Sequence, residues 1–550
     1  MRTEFWKTGA LIFTMLFFLA TVVFCCETWA AKSVTSKPQA VFDAVDTTFI
    51  HKVSVKKAFK ADMSVPEGEI ALPFYICDHA VLQRNAVNRI AGQLPQGDDS
   101  PHVAVAVMQN DTKTTVYFGQ ASEGRFEVFI GPHAAATGCK IVVVSDKFRR
   151  TVNDVCFGDV FLLAGQSNMV MALSTCVDVM EYASKGNTEY RTDMNAASDS
   201  DLRLLKYRYG EMEGAATPQP PEMFSGKGSW NWSVDSPESR GGFSCLGYYF
   251  LMRMRQLTGI PVGGVLSCVG DSTVPTWVSD AFYPLLPADV IATYEMTEVS
   301  RKTRSRLFNR FISPLRDVSF RAIVWMQGEG QPLHFQRQLE VLIECFRSET
   351  GRFVPVVFPQ FPSSPAGSEP QGWFALRDQQ RRAAESIPKG AYSVNLDCGY
   401  AYGEQDKAHY GDKKPVGVRS ADAFAGKFYG IPEVWRGPLL EGATKDGQTV
   451  RLEFGSIGSG LVLRKGSTGF ESAGADRVFK PAEAEISGNT VVLQCATEPI
   501  HVRYLFGAVL PPATLYNHEG YPGDSFWVVF QPGETKTGID SWAEANPKFR

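Results

Sequence analysis

Gly158-Asp159-Val160-Phe161-Leu162-Leu163-Ala164-Gly165-Gln166-Ser167-Asn168-Met169 is the stretch that decides how this chain is read. The unbroken apolar run 160–164 predicts a strand buried on both faces, the pattern of a parallel sheet. Gly165 marks a tight turn, and Ser167 stands where a helix should begin. A hydroxyl there lies at the carboxyl edge of a parallel sheet, where α/β sites form. Backbone N–H groups at a helix start can also stabilise a developing oxyanion. The competing reading is that Ser167 only caps the helix, a common use of serine. The second Gly of a G-x-S-x-G elbow is missing, which disfavours an ordinary α/β-hydrolase.

Outward from this stretch, apolar runs at 262–269, 322–325 and 354–359 alternate with helical patterns at 248–257 and 335–346. That alternation predicts a parallel sheet with flanking helices over 155–432. Upstream, short strands at 103–107, 115–118, 126–130 and 140–144 predict an N-terminal β domain over 71–154, sandwich-like in its turn spacing. Beyond Pro432 the helices stop, and runs at 450–454, 460–464, 490–494 and 501–506 predict a sandwich-like C-terminal β region over 433–550. Residues 31–70 are polar and read as a tether or edge.

The length of 550 residues calls for two or three domains. A net charge of −4, without any Lys/Arg run, leaves nucleic-acid binding no electrostatic footprint. Arg2 and Lys7, the apolar run 10–25 and Thr28-Trp29-Ala30 predict a signal peptide over 1–30 and an exported mature chain. The alternative is an uncleaved anchor. Phe24 is too bulky for a lipidation site at Cys25 or Cys26. No later run is long enough to span a bilayer, so no stable membrane insertion of the mature chain is expected. Eleven cysteines, two of them in the leader, leave nine, with no CxxC and no zinc-like spacing. An odd count leaves at least one free thiol in an oxidising compartment. Neither a metal nor an organic cofactor is expected.

A serine nucleophile needs a base, and the chain has eight histidines. His51, His79, His102 and His133 fall in the tail or the first β region, and His501 and His518 in the last. His334 follows Gln327-Gly328-Glu329 and reads as a loop residue. His409 is the best candidate, because Asp406-Lys407-Ala408-His409 sets a carboxylate three residues ahead of it. In one turn that spacing puts both side chains on one side. The Asp can then hold the imidazole in the tautomer that accepts the serine proton.

Several motifs in order resemble the sialate O-acetylesterase family of SGNH-type hydrolases. They are 158–169, then Trp325-Met326-Gln327-Gly328-Glu329, then Asp406 to His409 followed by Lys414-Pro415-Val416-Gly417-Val418-Arg419. His79-Ala80-Val81-Leu82-Gln83-Arg84, the segments 243–250 and 260–265, and Leu515-Tyr516-Asn517-His518-Glu519-Gly520-Tyr521-Pro522 extend the likeness over nearly the whole chain from about residue 70. The resemblance implies a carboxylic ester hydrolase acting on acetylated glycan or sialic acid. In it Ser167 is the nucleophile, His409 the general base and acid, and Asp406 the orienting carboxylate. The N–H groups of Ser167 and Gly270, with the Gln327 side chain, are the implied oxyanion donors. Gln166 and Asn168 flank the nucleophile at the substrate, and Glu329 braces the loop.

Three departures bear on substrate choice. Gly270-Asp271-Ser272 stands where the family has a Gly-Gly-Thr-like turn, Gly330-Gln331 follows the Gln-Gly-Glu, and Tyr410 replaces a proline after the histidine. Gly270-Asp271-Ser272 also echoes the Gly-Asp-Ser signature of related lipases, which makes Ser272 a rival nucleophile. Asp397, ending an apolar run, is a rival to Asp406 as partner of the histidine. A different class also stays open: a carbohydrate-binding protein whose central domain is inactive.

Overall fold

A computed structural model describes residues 64–109, 113–183, 186–207, 216–219, 230–295, 303–329, 333–363, 372–399, 409–464, 469–507, 510 and 512–546. The expected signal peptide, most of the expected tether, and Asp406 lie outside these residues.

The fold is mixed α/β, with a large sheet, flanking helices and separate β-sheets, as the sequence predicts. The first strands are β1 (Val81–Gln83), β2 (Asn88–Gln93), β3 (His102–Gln109), β4 (Lys113–Ser122), β5 (Arg125–Ile130) and β6 (Ala136–Val144). They lead into a long β7 (Arg149–Gly165). The pair 154/155, where the sequence changes its pattern, lies within this one strand. Its first half pairs antiparallel with β6, and its last residues pair in parallel with β10 (Val262–Cys268) and β11 (Ala322–Met326). The run 160–164 is wholly buried, as a central parallel strand must be.

Further strands are β8 (Leu202–Tyr207), β9 (Trp230–Val234), β12 (Val356–Pro359) and β13 (Gly390–Ser393). They complete the order β13-β12-β11-β7-β10-β8-β9, parallel except for β9 against β8. From β7 the chain builds β8 to β10 on one side, then crosses to β11 on the other. The carboxyl end of β7 is therefore a topological switch point, where a crevice opens in α/β sheets.

Helices α1 (Ser167–Val170), α2 (Cys245–Thr258), α3 (Phe335–Thr350), α4 (Trp373–Ser386) and α5 (Lys414–Tyr429) follow the strands. Phe161 of β7 meets Phe250 of α2 and Phe424 of α5 edge-on, with centroids 5.0 and 5.4 Å apart. Each fully buried ring of this kind is worth roughly 1.5–3 kcal/mol. A Cβ at Gly417 of α5 would lie 2.5 Å from the Leu246 carbonyl oxygen, so the two helices pack closely only because glycine stands there.

Asp159 is fully buried and accepts from Arg84 at 2.9 Å, Arg321 at 3.1 Å and Tyr429 at 2.9 Å. Burial pushes its carboxyl up, but the two guanidiniums more than offset this and hold it below the usual range. This cluster locks the turn after β1 to β7 and to the end of α5.

The C-terminal region forms five-, four- and two-stranded antiparallel sheets. Phe454 of the first and Phe526 of the second pack with centroids 6.2 Å apart. No helix among the described residues is long and apolar enough to cross a membrane.

Candidate active site

Gly165 ends β7 opposite Cys268 of β10 and Met326 of β11. Its φ is +135°, and a Cβ there would lie 1.9 Å from the Met326 carbonyl oxygen. A side chain is excluded on both counts. The Gln166 N–H donates to that same carbonyl at 3.0 Å. Gln166 is the N-cap of α1, extended and without a side-chain cap bond. Its carbonyl accepts from Met169 at 2.8 Å and from Val170 at 3.0 Å. Ser167 is thus the first helical residue, and Gln166 stands at the cap. It is half-buried, whereas Gln166 and Asn168 on either side are buried.

The turn after β10 closes on this serine. A Cβ at Gly270 would lie 3.8 Å from Ser167 Cβ, so the Gly270 backbone runs directly beside it. The next residues turn away. Ser272 is only 2% exposed, and its hydroxyl accepts from the Trp277 indole N–H at 3.0 Å. Gln327 is fully buried and donates its amide to the Ser272 carbonyl at 2.9 Å and to the Ser272 hydroxyl at 3.3 Å. Gln327 thereby braces the Gly270 turn, while its Oε1 has no hydrogen-bond partner among the described residues.

Asn168 joins the remaining candidates. Its Nδ2 donates to Glu329 Oε1, and its Oδ1 accepts from Lys413 Nζ at 2.8 Å. Burial raises the Glu329 carboxyl above its usual range, against the opposing pull of Asn168, His409 and Lys413. His409 is half-buried and close enough to act on that carboxyl. Ser167, Gly270, Gln166, Asn168, Gln327, Glu329 and His409 thus come from four distant segments to one edge of the sheet. Asp406, outside the described residues, precedes His409 by three positions.

Asp397 is engaged elsewhere, forked by Arg419 of α5 at 2.6 and 2.9 Å. Lys413, buried four positions after His409, escapes a reading of the sequence, where its only signal is the run of charged residues after the histidine. Arg419 stands in the sequence only as the end of the Lys414–Arg419 motif, which does not reveal its pairing with Asp397. Among the described residues no group of His, Cys, Asp or Glu could hold a metal ion, and the cysteines from Cys77 to Cys495 are free thiols. A groove of about 620 Å³, lined by Arg347, Phe353 and Pro388 among others, opens at the amino-terminal edge of β12 and β13, opposite Ser167.

No family model matches this chain. It is 24% identical over 319 residues to the sialate O-acetylesterases of Pongo abelii and Homo sapiens, covering 54% of this chain and 58% of each relative. With the Mus musculus sialate O-acetylesterase it is 23% identical over 344 residues, covering 53% of this chain and 60% of the relative. The matches therefore span less than two thirds of these relatives. A carbohydrate acetylesterase from Xanthomonas citri has a similar structure, with a TM-score of 0.69 and 28% identity over 84% of this chain and 99% of that one. The chain is thus similar in sequence to sialate O-acetylesterases and in fold to a carbohydrate acetylesterase, and its ordered Gly-Gln-Ser-Asn, Gln-Gly-Glu and histidine segments meet at one sheet edge.

Proposed function

We propose that this chain is an exported serine esterase that hydrolyses O-acetyl esters on carbohydrate, with Ser167 as nucleophile, His409 as base and Asp406 as its orienting partner. The observation that carries the reading is Ser167 itself. It is a half-buried residue at the first helical position, at the switch point of the sheet, with the Gly270 backbone against it. His409 takes the proton of Ser167 as it attacks the acetyl carbonyl. The N–H groups of Ser167 and Gly270 hold the oxyanion. His409 then protonates the leaving sugar oxygen, and water attacks the acyl-enzyme to release acetate. In the second half His409 takes a proton from that water and returns it to Ser167 as acetate leaves, so every proton passes through His409 and no metal or organic cofactor is required. Export rests on the leader-like residues 1–30.

The rival nucleophile is weakened by its surroundings, since Ser272 is buried and its hydroxyl is occupied by the Trp277 indole. The substrate class rests on the family, whose named relatives are sialate and carbohydrate acetylesterases. Acetate release should be measured over a panel of O-acetylated sialic acids and acetylated polysaccharides, with a p-nitrophenyl octanoate control. Release from at least one acetylated glycan, and weak octanoate turnover, is the expected result. An absence of acetate release across the panel would favour an inactive carbohydrate-binding protein. Octanoate turnover faster than that of the acetate would favour a lipase-like esterase.

A further inference from the structure

The Lys413 side chain is fully buried, and its ammonium lies 2.8 Å from Asn168 Oδ1 and 3.5 Å above the centroid of the Tyr410 ring. A buried ammonium is tolerated where polar groups meet it, and here the Asn168 amide oxygen and the Tyr410 face are among those groups. The bond to Asn168 does something that packing alone does not.

Its geometry says what. An ammonium has three donors and no acceptor, so the Asn168 oxygen must face Lys413 and the Asn168 N–H₂ must face the other way. That other way is Glu329, whose Oε1 accepts from Nδ2. The chain Lys413–Asn168–Glu329 has one polarity, and each link belongs to a different segment. Lys413 follows His409 by four residues and caps α5, with its carbonyl accepting from Gly417 at 3.0 Å. Asn168 adjoins Ser167, and Glu329 ends the Gln-Gly-Glu loop. His409 acts on the same Glu329 carboxyl. The lysine therefore ties the histidine segment to the nucleophile turn at the one amide that also holds the third loop.

We propose that Lys413 is a positioning residue: through the Asn168 amide it holds the His409 segment in register with the Ser167 turn. The proposal rests on Ser167 and His409 being the reacting pair. Tyr410, which departs from the family's proline, supplies the aromatic face against which the ammonium is set.

The test uses the full chain and p-nitrophenyl acetate. Lys413→Met keeps the length and apolar stem of the side chain. The expected result is a fall in kcat of about 100-fold, the cost of a small misplacement of reacting groups, with KM changed less than about threefold and the melting temperature retained. Asn168→Ala should cause a similar fall, and the double variant should be no slower than the slower single one, because both cut the same link. Lys413→Gln, a neutral donor, should recover much of the rate. Unchanged kcat in Lys413→Met, or multiplicative losses in the double variant, would overturn the proposal. If Lys413→Met does not fold, Lys413→Gln decides: a folded Gln variant as slow as Asn168→Ala refutes positioning by a donor, as does failure of Gln to restore folding. Ser167→Ala, measured beside them, separates the two ideas. Full activity there removes the catalytic reading itself, whereas an inactive Ser167→Ala with a fully active Lys413→Met removes only the role of the lysine.

Discussion

Asp397 and Arg419 form a two-point ion pair across the end of β13 and the second turn of α5, with Oδ1 and Oδ2 at 2.6 and 2.9 Å from the two Nη atoms. Tyr516 of the C-terminal β region donates to the same carboxylate at 3.2 Å. Burial alone would raise this carboxyl, but Arg419 more than offsets that and holds it below the usual range. Both oxygens are committed to structure, which separates Asp397 from the catalytic role assigned to Asp406. Asp397→Asn should leave kcat within about tenfold, while costing about 3–5 kcal/mol because it strands a mostly buried guanidinium. Asp406→Asn should instead cut kcat by up to about ten-thousandfold with little change in stability. Urea unfolding and kcat for both variants distinguish the roles, and an inactive, fully stable Asp397→Asn would reverse them. Because the Asp397 carboxyl is depressed, its stabilising effect is present above about pH 4 and is lost as pH falls through the folded-state value.

The two serines make a sharper contrast. Ser167→Ala should remove activity down to the residue left by the oxyanion donors and binding. Ser272→Ala should retain most activity and lose about 1 kcal/mol of stability, because the buried Trp277 indole loses an acceptor. A fluorophosphonate probe mapped by peptide should label Ser167 in the unaltered chain, and label at Ser272 would move the nucleophile.

Gly165→Ala tests the turn that presents the nucleophile. The substitution imposes a Cβ on a backbone with φ of +135° and pushes it to 1.9 Å from the Met326 carbonyl, which also accepts from Gln166 N–H. Backbone cannot yield there without parting β7 from β11. We expect a loss of several kcal/mol, read as poor recovery of folded protein, with any folded fraction nearly inactive. A stable, active Gly165→Ala would mean that the turn is not the device that sets Ser167.

The sheet was legible because its strands announce themselves locally: 160–164, 262–269 and 322–325 are apolar runs of the kind a helix-covered sheet buries. The edge between β regions was less so. β7 crosses it as one strand, and what changes there is the direction of its neighbours, which no local pattern encodes. The Ser167 turn could be read because glycine, serine and helix start are adjacent in sequence. Lys413 could not, since its meaning lies in a bond to Asn168, 245 residues away. Arg419 is a similar case, because a charged residue one turn into a helix normally faces solvent until a partner such as Asp397 is known. Tyr516 likewise reaches the Asp397 carboxylate from the C-terminal β region, 119 residues away.

Asp524 makes the last prediction, and its sign is opposite to that of Asp397. This residue of the C-terminal β region is buried at 3% exposure and accepts from Gln360 Nε2, just beyond β12, at 3.1 Å and from Ser525 N–H at 2.8 Å. Burial pushes its carboxyl up to about 6, although Arg381, Gln360 and Tyr392 pull it down. A carboxyl raised on folding takes up a proton when the chain folds. Its contribution is therefore complete below about pH 4, the value in the unfolded chain, and is lost as pH rises through about 6. A shift of about two units corresponds to roughly 2–3 kcal/mol. Asp524→Asn keeps the shape, can still accept from Gln360 and Ser525, and does not ionise. Relative to the unaltered chain it should therefore gain stability between pH 4.5 and 7.5 by an amount of that order. Urea unfolding of both proteins at the two pH values measures it, and taking the difference cancels Asp397 and every other titrating group common to both. A gap that stays constant with pH would mean that Asp524 titrates in the folded chain much as it does in the unfolded one.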